Sequence, residues 1–166
     1  MDVFYYNGFK KIYFNKILKE IIILGSLAKN IKILDFGCGS KQLQSLLKKK
    51  ILNYDKNLNY SDYTSYKKLK FHVVVFNHVL MYMTKYEIEH TFQFLKKKNK
   101  NLKIIIGIST INFISKIAAL LSLSLNAHKG IVSSPSIQKK IISKYFRVIA
   151  KKNIFYMTDI YYLKFK

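Results

Sequence analysis

Residues 31–40 read Ile-Lys-Ile-Leu-Asp-Phe-Gly-Cys-Gly-Ser, and this stretch decides the fold. The run that precedes Gly37 is short and apolar, which is typical of a buried parallel strand. Gly37 and Gly39 then indicate a tight turn into a helix over residues 40–50. Because ligands of open α/β sheets bind at such strand ends, the stretch predicts an α/β fold with a ligand site at this turn.

Further strands and helices alternate along the chain. Apolar residues recur every three or four positions from Phe9 to Leu24, which predicts an amphipathic helix that ends at Gly25. The remaining pattern predicts strands over 51–55, 71–77 and 102–109, helices after Thr84, over 111–125 and after Ser134, and a hairpin over Tyr145–Lys166 that breaks at Lys151–Asn153; it leaves open a short third strand near 59–63.

The chain contains no internal repeat and no Gly-, Pro- or Ser-rich linker. We therefore expect a single domain over residues 1–166, with an N-terminal helical cap (1–29) and a Rossmann-like core (31–166). Alternating strands and helices predict a layered fold with a mostly parallel sheet and right-handed crossovers.

Polar side chains follow three of the predicted strands. Asp35 ends the first strand, Asp55 ends the second, and Asn77 and His78 end the strand over 71–77. An acid in the position of Asp55 can accept two hydrogen bonds from a ribose diol. Parallel neighbouring strands would bring these side chains to one crevice.

A nicotinamide-dinucleotide site is the first alternative for this crevice. That site needs a third glycine, so that the helix can close on the strand and bind a pyrophosphate. The chain has Ser-Lys-Gln at 40–42, and Asp35 would lie beside the pyrophosphate and repel it. A cofactor that carries an ammonium and a sulfonium, and no phosphate, suits these residues better.

Three segments carry a family resemblance: KILDFGCGS (32–40), NYD (53–55) and FHVVVFNHVLMYM (71–83). They resemble motifs I, II and IV of the class I S-adenosylmethionine-dependent methyltransferases, and the likeness extends over residues 10–166. The resemblance implies a sheet of seven strands, or six, in the order 3-2-1-4-5-7-6, with strand 7 antiparallel and helices on both faces. The chain departs from the family in its short segment between the second and fourth strands and in His72, where the family usually has Asp.

The resemblance also implies S-adenosyl-L-methionine as cofactor and assigns residues to it. Asp35 and the two glycines would line its methionine end, Asp55 would hold the ribose, and Asp62 would meet the adenine amino group. Asn77 and His78 would flank the sulfonium. The full set of predicted cofactor residues is Asp35, Phe36, Gly37, Cys38, Gly39, Tyr54, Asp55, Lys56, Asp62, Asn77 and His78.

Methyl transfer by in-line displacement needs mainly alignment and a dry crevice. A base is needed only where the acceptor loses a proton, and the candidates are His78 and His128. The sequence favours a structural or cofactor-packing role for His78, because it shows no partner that would tune the pKa of the imidazole. Cys38 is interpreted as a small buried filler, and no Cys/His set has zinc spacing, so no metal is implied.

The acceptor is expected to be a small molecule, or a glycan or lipid-linked intermediate. The apolar segment 111–125 and the loop around His128 would form a lid over the site. An RNA or protein methyltransferase is the alternative within the class. A catalytically silent, basic binding module on the same fold is the alternative from another class.

The charge of the chain is strongly positive. It has 30 Lys and Arg residues against 8 Asp and Glu, a net charge of +22, and Arg147 as its single arginine. Phosphate-binding sites usually include bidentate arginines, and Lys, Ile, Asn, Tyr and Phe share A/T-rich codons. The composition therefore favours codon bias over a nucleic-acid partner, although it permits peripheral attraction to an anionic membrane.

Two features bear on the compartment. Cys38 is the single cysteine, so no intrachain disulfide can form, which fits the reducing cytoplasm. The stretch 104–125 is long enough to cross a bilayer, but its Ser, Thr, Asn and Lys residues favour a buried strand followed by an apolar helix.

Overall fold

The computed structural model describes residues 8–110 and 130–166. Its helices are α1 (Gly8–Gly25), α2 (Gln42–Leu47), α3 (Lys85–Lys98) and α4 (Pro135–Tyr145), with a 3-10 turn at Leu80–Tyr82. Its strands are β1 (Ile33–Phe36), β2 (Leu52–Tyr54), β3 (Val73–Asn77), β4 (Lys103–Ser109), β5 (Phe146–Ile154) and β6 (Thr158–Phe165). The predicted helix 111–125 lies outside the described residues.

The described strands form one sheet in the order β2-β1-β3-β4-β6-β5. Strands β2, β1, β3 and β4 run parallel, and β6 is antiparallel to both of its neighbours, β4 and β5. This is the predicted order 3-2-1-4-5-7-6 without its third strand. The predicted α/β Rossmann-like fold is therefore confirmed, in its six-stranded form.

The short third strand that the sequence leaves open near 59–63 does not form. Side chains take over the backbone bonds of this segment: a carboxylate oxygen of Asp55 accepts the N–H of Asn57 (2.9 Å), and the amide oxygen of Asn57 accepts the N–H of Asn59 (3.1 Å). Such local bonds compete with a strand ladder. The segment turns beside β2, to which Asp62 donates its N–H (3.0 Å).

The terminal hairpin forms as predicted, but its turn was placed too early at Lys151–Asn153. Strand β5 runs on to Ile154, and the turn is made by Phe155 and Tyr156, whose φ angles are 51° and 57°. The connection has three residues, 155–157, and turns with two successive positive φ values are usually made by Asn and Gly. Because Phe155 and Tyr156 are not typical turn residues, the sequence does not indicate a turn at this position.

The core lies on both faces of the sheet. Side chains alternate along β1 and β3, so Leu34 and Phe76 pack towards α3 and α4, whereas Ile33 and Val75 pack towards α1 and α2. All residues of β1 and residues 73–76 of β3 are buried. Burial on both faces explains why these strands read as unbroken apolar runs rather than as alternating ones.

Local signals fix the helix ends. Helix α1 ends at Gly25 as predicted, and α4 begins after Ser134, whose hydroxyl accepts the N–H of Ile137, with Pro135 in the first turn. None of the helices within residues 8–110 and 130–166 combines the length and apolar character needed to cross a membrane.

The capping box of α3 stabilises the start of that helix. Thr84 accepts the N–H of Glu87 (3.1 Å), and the Glu87 carboxylate accepts the N–H of Thr84 (2.7 Å). We expect Thr84→Ala to lower the free energy of unfolding by about 1 kcal/mol in urea denaturation. Thr84→Ser keeps the hydroxyl and should remain near the wild type; an equal loss in both variants would contradict the assignment.

Candidate functional site

The candidate site lies where the parallel strands end. In register, Phe36 of β1 is opposite Tyr54 of β2 on one side and Phe76 of β3 on the other. The residues that follow these strands therefore meet along one margin of the sheet. We call this margin, formed by residues 37–39, 55–57, 77–79 and 107–109, the carboxyl edge.

The two glycines of the first turn have different environments. Gly37 has φ +78°, and a Cβ at this position would lie 2.3 Å from a methyl carbon of Val79. Gly39 has φ +46°, and a Cβ there would meet no atom within 4 Å. Gly37 is thus required by packing against the protein, whereas Gly39 borders open space that a ligand can fill.

Asp55 is joined to this turn. One carboxylate oxygen of Asp55 accepts the backbone N–H of Gly39 at 3.0 Å, and the other accepts the N–H of Asn57 at 2.9 Å. The N–H of Gly37 is bonded to the carbonyl of Tyr54 at 2.7 Å. The glycine turn and the acid after β2 therefore form one connected structure, with Asp55 beside the open space at Gly39.

Asp35 is a buried acid beneath the same turn. Its residue is 4% exposed, and burial, followed by repulsion from Asp55, raises the pKa of its carboxyl group to about 7. A carboxyl group in this state gains most from a cation placed next to it. The electrostatics of the turn therefore favour a positively charged ligand group over a phosphate.

The remaining residues around the turn pack rather than react. The ring of Phe36 lies 5.0 Å from that of Tyr54, within a buried aromatic cluster. Cys38 is buried, its thiol points to the carbonyl of Tyr60 (3.4 Å), and burial together with Asp35 raises its pKa to about 12. The thiol therefore stays protonated, which agrees with the interpretation of Cys38 as a small buried side chain that fills space and does not react. Lys56 is exposed and reaches Glu87 at 3.4 Å.

Asp62 lies on the outer side of β2, and its carboxylate is engaged by the protein. One oxygen bonds the ammonium of Lys41 at 2.5 Å and the other accepts from the Asn53 amide at 2.7 Å; these two bonds lower the pKa of Asp62. Lys41 has φ 59°, so it occupies the left-handed position at the start of α2. The predicted adenine contact of Asp62 would have to coexist with this ion pair.

Asn77 closes the other side of the edge. Its amide oxygen is buried, and it is one of the buried side-chain atoms in the described residues that lack a hydrogen-bond partner. A Cβ on Gly107 of the neighbouring strand β4 would lie 2.8 Å from this oxygen. Glycine at 107 thus makes room for the Asn77 amide, whose buried oxygen has no hydrogen-bond partner in the described part of the chain.

His78 is held at both ring nitrogens. Its Nδ1 lies 2.8 Å from the hydroxyl of Ser109, and its Nε2 lies 3.3 Å from the hydroxyl of Thr158, which also bonds the phenol of Tyr13 at 2.6 Å. Burial lowers the pKa of His78 to about 4, so the imidazole is neutral at pH 7. In this arrangement neither ring nitrogen is left for the proton of an acceptor.

The other histidines are placed as follows. His72 lies before β3, at the opposite margin of the sheet, where its Nδ1 accepts the N–H of Lys32 at 3.2 Å. His90 is exposed and stacks on Tyr86, with ring centroids 6.0 Å apart. His128, the second candidate base, lies outside the described residues. Within residues 8–110 and 130–166, no three His, Cys, Asp or Glu side chains are grouped so as to hold a metal.

The structure adds residues that the sequence did not indicate. Val79 packs against Gly37, Ser109 and Thr158 bind His78, and Lys41 binds Asp62. Thr158 is separated from His78 by 80 positions in the chain. Such contacts depend on strand order, so no local pattern could have revealed them.

Several of the predicted cofactor residues have the chemistry that a cationic nucleoside needs. The site offers open space at Gly39, a buried carboxyl group at Asp35 that favours a cation, and an unpaired buried amide oxygen at Asn77. Asp55 can also accept bonds from hydroxyl groups in that space. These features fit a cationic nucleoside such as S-adenosyl-L-methionine, with Asp62 as the residue whose partners leave it least available.

Comparison with known proteins identifies the fold. No protein-family profile matches the sequence, and no curated protein matches it either. Among solved structures, the chain is similar to the magnesium protoporphyrin IX methyltransferase ChlM of Synechocystis PCC 6803 with bound SAH (TM-score 0.58, 13% identity, 96% of this chain and 88% of that chain). It is also similar to the PH0226 protein of Pyrococcus horikoshii OT3 (TM-score 0.65, 14% identity, 96% and 93%).

A third similar structure is the N-methyltransferase NodS of Bradyrhizobium japonicum WM9 (TM-score 0.57, 8% identity, 92% of this chain and 96% of that chain). The three alignments each span more than nine-tenths of this chain, so the likeness includes the whole sheet and not an isolated motif. The chain therefore has a fold that known methyltransferases adopt.

Proposed function

We propose that the chain is an S-adenosyl-L-methionine-dependent methyltransferase. The observation that carries this proposal is the junction of the glycine turn with Asp55 on a methyltransferase fold, where Gly39 borders open space and Asp35 lies buried beneath. The turn lies beside two carboxyl groups, those of Asp35 and Asp55, and neither is in an ion pair among the described residues. This arrangement suits a ligand with an ammonium and a ribose. The bound SAH of the similar ChlM structure supports the same cofactor.

Residues at and next to the carboxyl edge would each contact a different part of the cofactor. Asp35 would attract the ammonium, Asp55 would accept the ribose hydroxyl groups, and Asn77 would line the sulfonium region. S-adenosyl-L-methionine, when bound, supplies an electrophilic methyl group. The chain's own contribution is then to orient the acceptor and exclude water, because this transfer gains most from alignment in a dry site.

His78 would act in this reaction as a positioning residue. Its bonds to Ser109 and Thr158 tie the ends of β3, β4 and β6 together directly beside Asn77. The low pKa keeps the imidazole neutral, so it adds no positive charge near a cationic cofactor. A dedicated base is not required for an acceptor whose lone pair is already free.

For the acceptor, we propose a small molecule, or a glycan or lipid-linked intermediate. Large apolar side chains are exposed around the carboxyl edge, among them Tyr82, Val132, Phe155 and Tyr156. An apolar rim suits an acceptor with a hydrophobic part. The similar ChlM is named for a porphyrin acceptor, which supports a small molecule. With one cysteine and no disulfide within the chain, we place the activity in the cytoplasm.

Removal of Asp55 tests the cofactor assignment. We expect Asp55→Ala to weaken S-adenosylhomocysteine binding, measured by isothermal titration calorimetry, by roughly tenfold or more, because charge-assisted hydrogen bonds are lost. Glu89→Gln removes an acid outside the site and serves as the control, which should bind as the wild type does. A wild-type protein that does not bind S-adenosylhomocysteine would instead favour a silent module on this fold.

Asp35 should limit stability at high pH. Its folded-state pKa of about 7 exceeds the usual 3.8, so its contribution to stability is full below pH 3.8 and is lost as the pH rises through 7. We expect Asp35→Asn to be more stable than the wild type at pH 8, by up to about 4 kcal/mol, in urea unfolding. The difference should shrink at pH 5, and a difference that does not change with pH would count against a buried ionised carboxylate.

The same residue should make cofactor binding depend on pH in the opposite sense. Only the ionised Asp35 attracts an ammonium, so the affinity for S-adenosylhomocysteine should rise as the pH increases from 6 to 8, through the pKa of about 7. Asp35→Asn should bind more weakly at pH 8 and show little change over this range in calorimetry. If Asp35→Asn is stabilised but binds S-adenosylhomocysteine as the wild type does, Asp35 is not part of the cofactor site.

A further inference from the structure

Lysines concentrate at the margin of the sheet opposite the candidate site. This margin, which we call the amino edge, consists of the segments 26–32, 48–51, 67–72 and 96–103, which lead into the four parallel strands. In the sequence its lysines form short, separate runs. In the fold they meet, because parallel strands begin side by side. The lysines are Lys29, Lys32, Lys48, Lys49, Lys50, Lys67, Lys68, Lys70, Lys96, Lys97, Lys98, Lys100 and Lys103.

Acids are excluded from these segments. The described acids lie in α1, in the first half of α3, at or after the ends of β1 and β2, and at the start of β6. Asp62 is close enough to Lys50 for that lysine to help lower its pKa, but its ion pair is with Lys41. Every ion pair among residues 8–110 and 130–166 uses a lysine from outside the amino edge. The edge is therefore strongly positive, and none of its lysines is in an ion pair with a described acid.

Some of these lysines are held in place. Lys49 donates to the carbonyls of Leu27 and Lys29, at 2.6 Å each. Lys98 donates to the carbonyl of Lys67 at 2.8 Å and lies 5.7 Å from the ring centroid of Phe71. Carbonyls and aromatic faces orient an ammonium without neutralising its charge. These contacts hold the ammonium groups of Lys49 and Lys98 at this edge.

Codon bias accounts for the number of lysines but not for this distribution. A bias acts alike on every part of the chain, whereas the described acids all lie outside the four segments that form this edge. Composition alone does not show this arrangement. The fold concentrates charge of one sign on one surface, and such a surface attracts polyanions.

We propose that the amino edge binds the phosphate backbone of nucleic acid, independently of base sequence. Lysine ammonium groups contact phosphates as point charges and release counterions, which gives affinity without base recognition. The bound strand would not be the methyl acceptor, because the carboxyl edge lies at the other end of the strands. The proposal thus adds a second, separate binding surface to the proposed enzyme and does not depend on its activity.

The edge suits nucleic acid better than a membrane. The exposed large apolar side chains of the described chain lie outside segments 26–32, 48–51, 67–72 and 96–103. Stable membrane attachment usually combines charge with an apolar or lipid anchor, and these segments offer charge alone. A membrane at this edge would also leave the apolar rim of the candidate site facing away from the lipid.

A charge-reversal experiment tests the proposal. The probe is a labelled RNA of mixed sequence, roughly 20 nucleotides long, followed by fluorescence anisotropy at increasing KCl concentrations. The edge variant carries Lys→Glu at four exposed positions without an ion pair, and a matched control changes net charge equally at four exposed positions elsewhere. The edge positions are Lys68, Lys70, Lys97 and Lys100, and the control positions are Lys19, Lys85, Lys140 and Lys152.

The edge variant should lose RNA affinity by roughly tenfold or more and show a shallower salt dependence, while the control stays within about threefold of the wild type. Thermal unfolding and S-adenosylhomocysteine binding should be unchanged in both variants, which separates this proposal from that of the enzyme. Equal losses in edge and control variants, absence of RNA binding, or competition between RNA and S-adenosylhomocysteine would overturn it. So would tighter edge-dependent binding to phosphatidylserine vesicles than to RNA.

Discussion

The hydrogen bond between the backbone of Gly39 and the carboxylate of Asp55 joins the first two strand ends, and the candidate site depends on it. The bond is 3.0 Å long, and the space that a Cβ at Gly39 would enter is open. It is possible because Gly37 turns the chain at φ +78° directly against Val79. With a side chain at Gly37, the turn would collide with the segment after β3. The shape of the turn therefore depends on how the ends of β1, β2 and β3 pack against one another.

Acidic and basic side chains are distributed unequally between the two margins of the sheet. The buried carboxyl group of Asp35 lies next to the carboxyl edge, and its pKa is raised to about 7. Lysines lie at the amino edge, where the described residues include no acid. A parallel sheet produces this polarity readily, since all its strand starts share one margin and all its strand ends share the other. A site for a cationic cofactor and a surface for polyanions can thus coexist without mutual neutralisation.

Much of the fold was predictable because its signals are local. The apolar run before Gly37, the capping box at Thr84 and the Ser134–Pro135 helix start act within a few residues. The hairpin turn at Phe155 and Tyr156 was misplaced because its backbone conformation contradicts its residue types. The third strand, which the sequence leaves open, does not form because the side chains of the 55–62 segment bond their own backbone. In both places a local conformation overrides the hydrophobic pattern.

The sequence by itself determined the fold class, the position of the glycine turn and the acids at the strand ends, since these follow from periodicity and from residue spacing. Tertiary structure alone decided that His78 is bonded on both ring nitrogens, that Asp62 is engaged by Lys41, and that scattered lysine runs form one surface. The physical reason is that these features join residues far apart in the chain. Their contacts, and the burial that shifts their pKa values, exist only once the strands are ordered in the sheet.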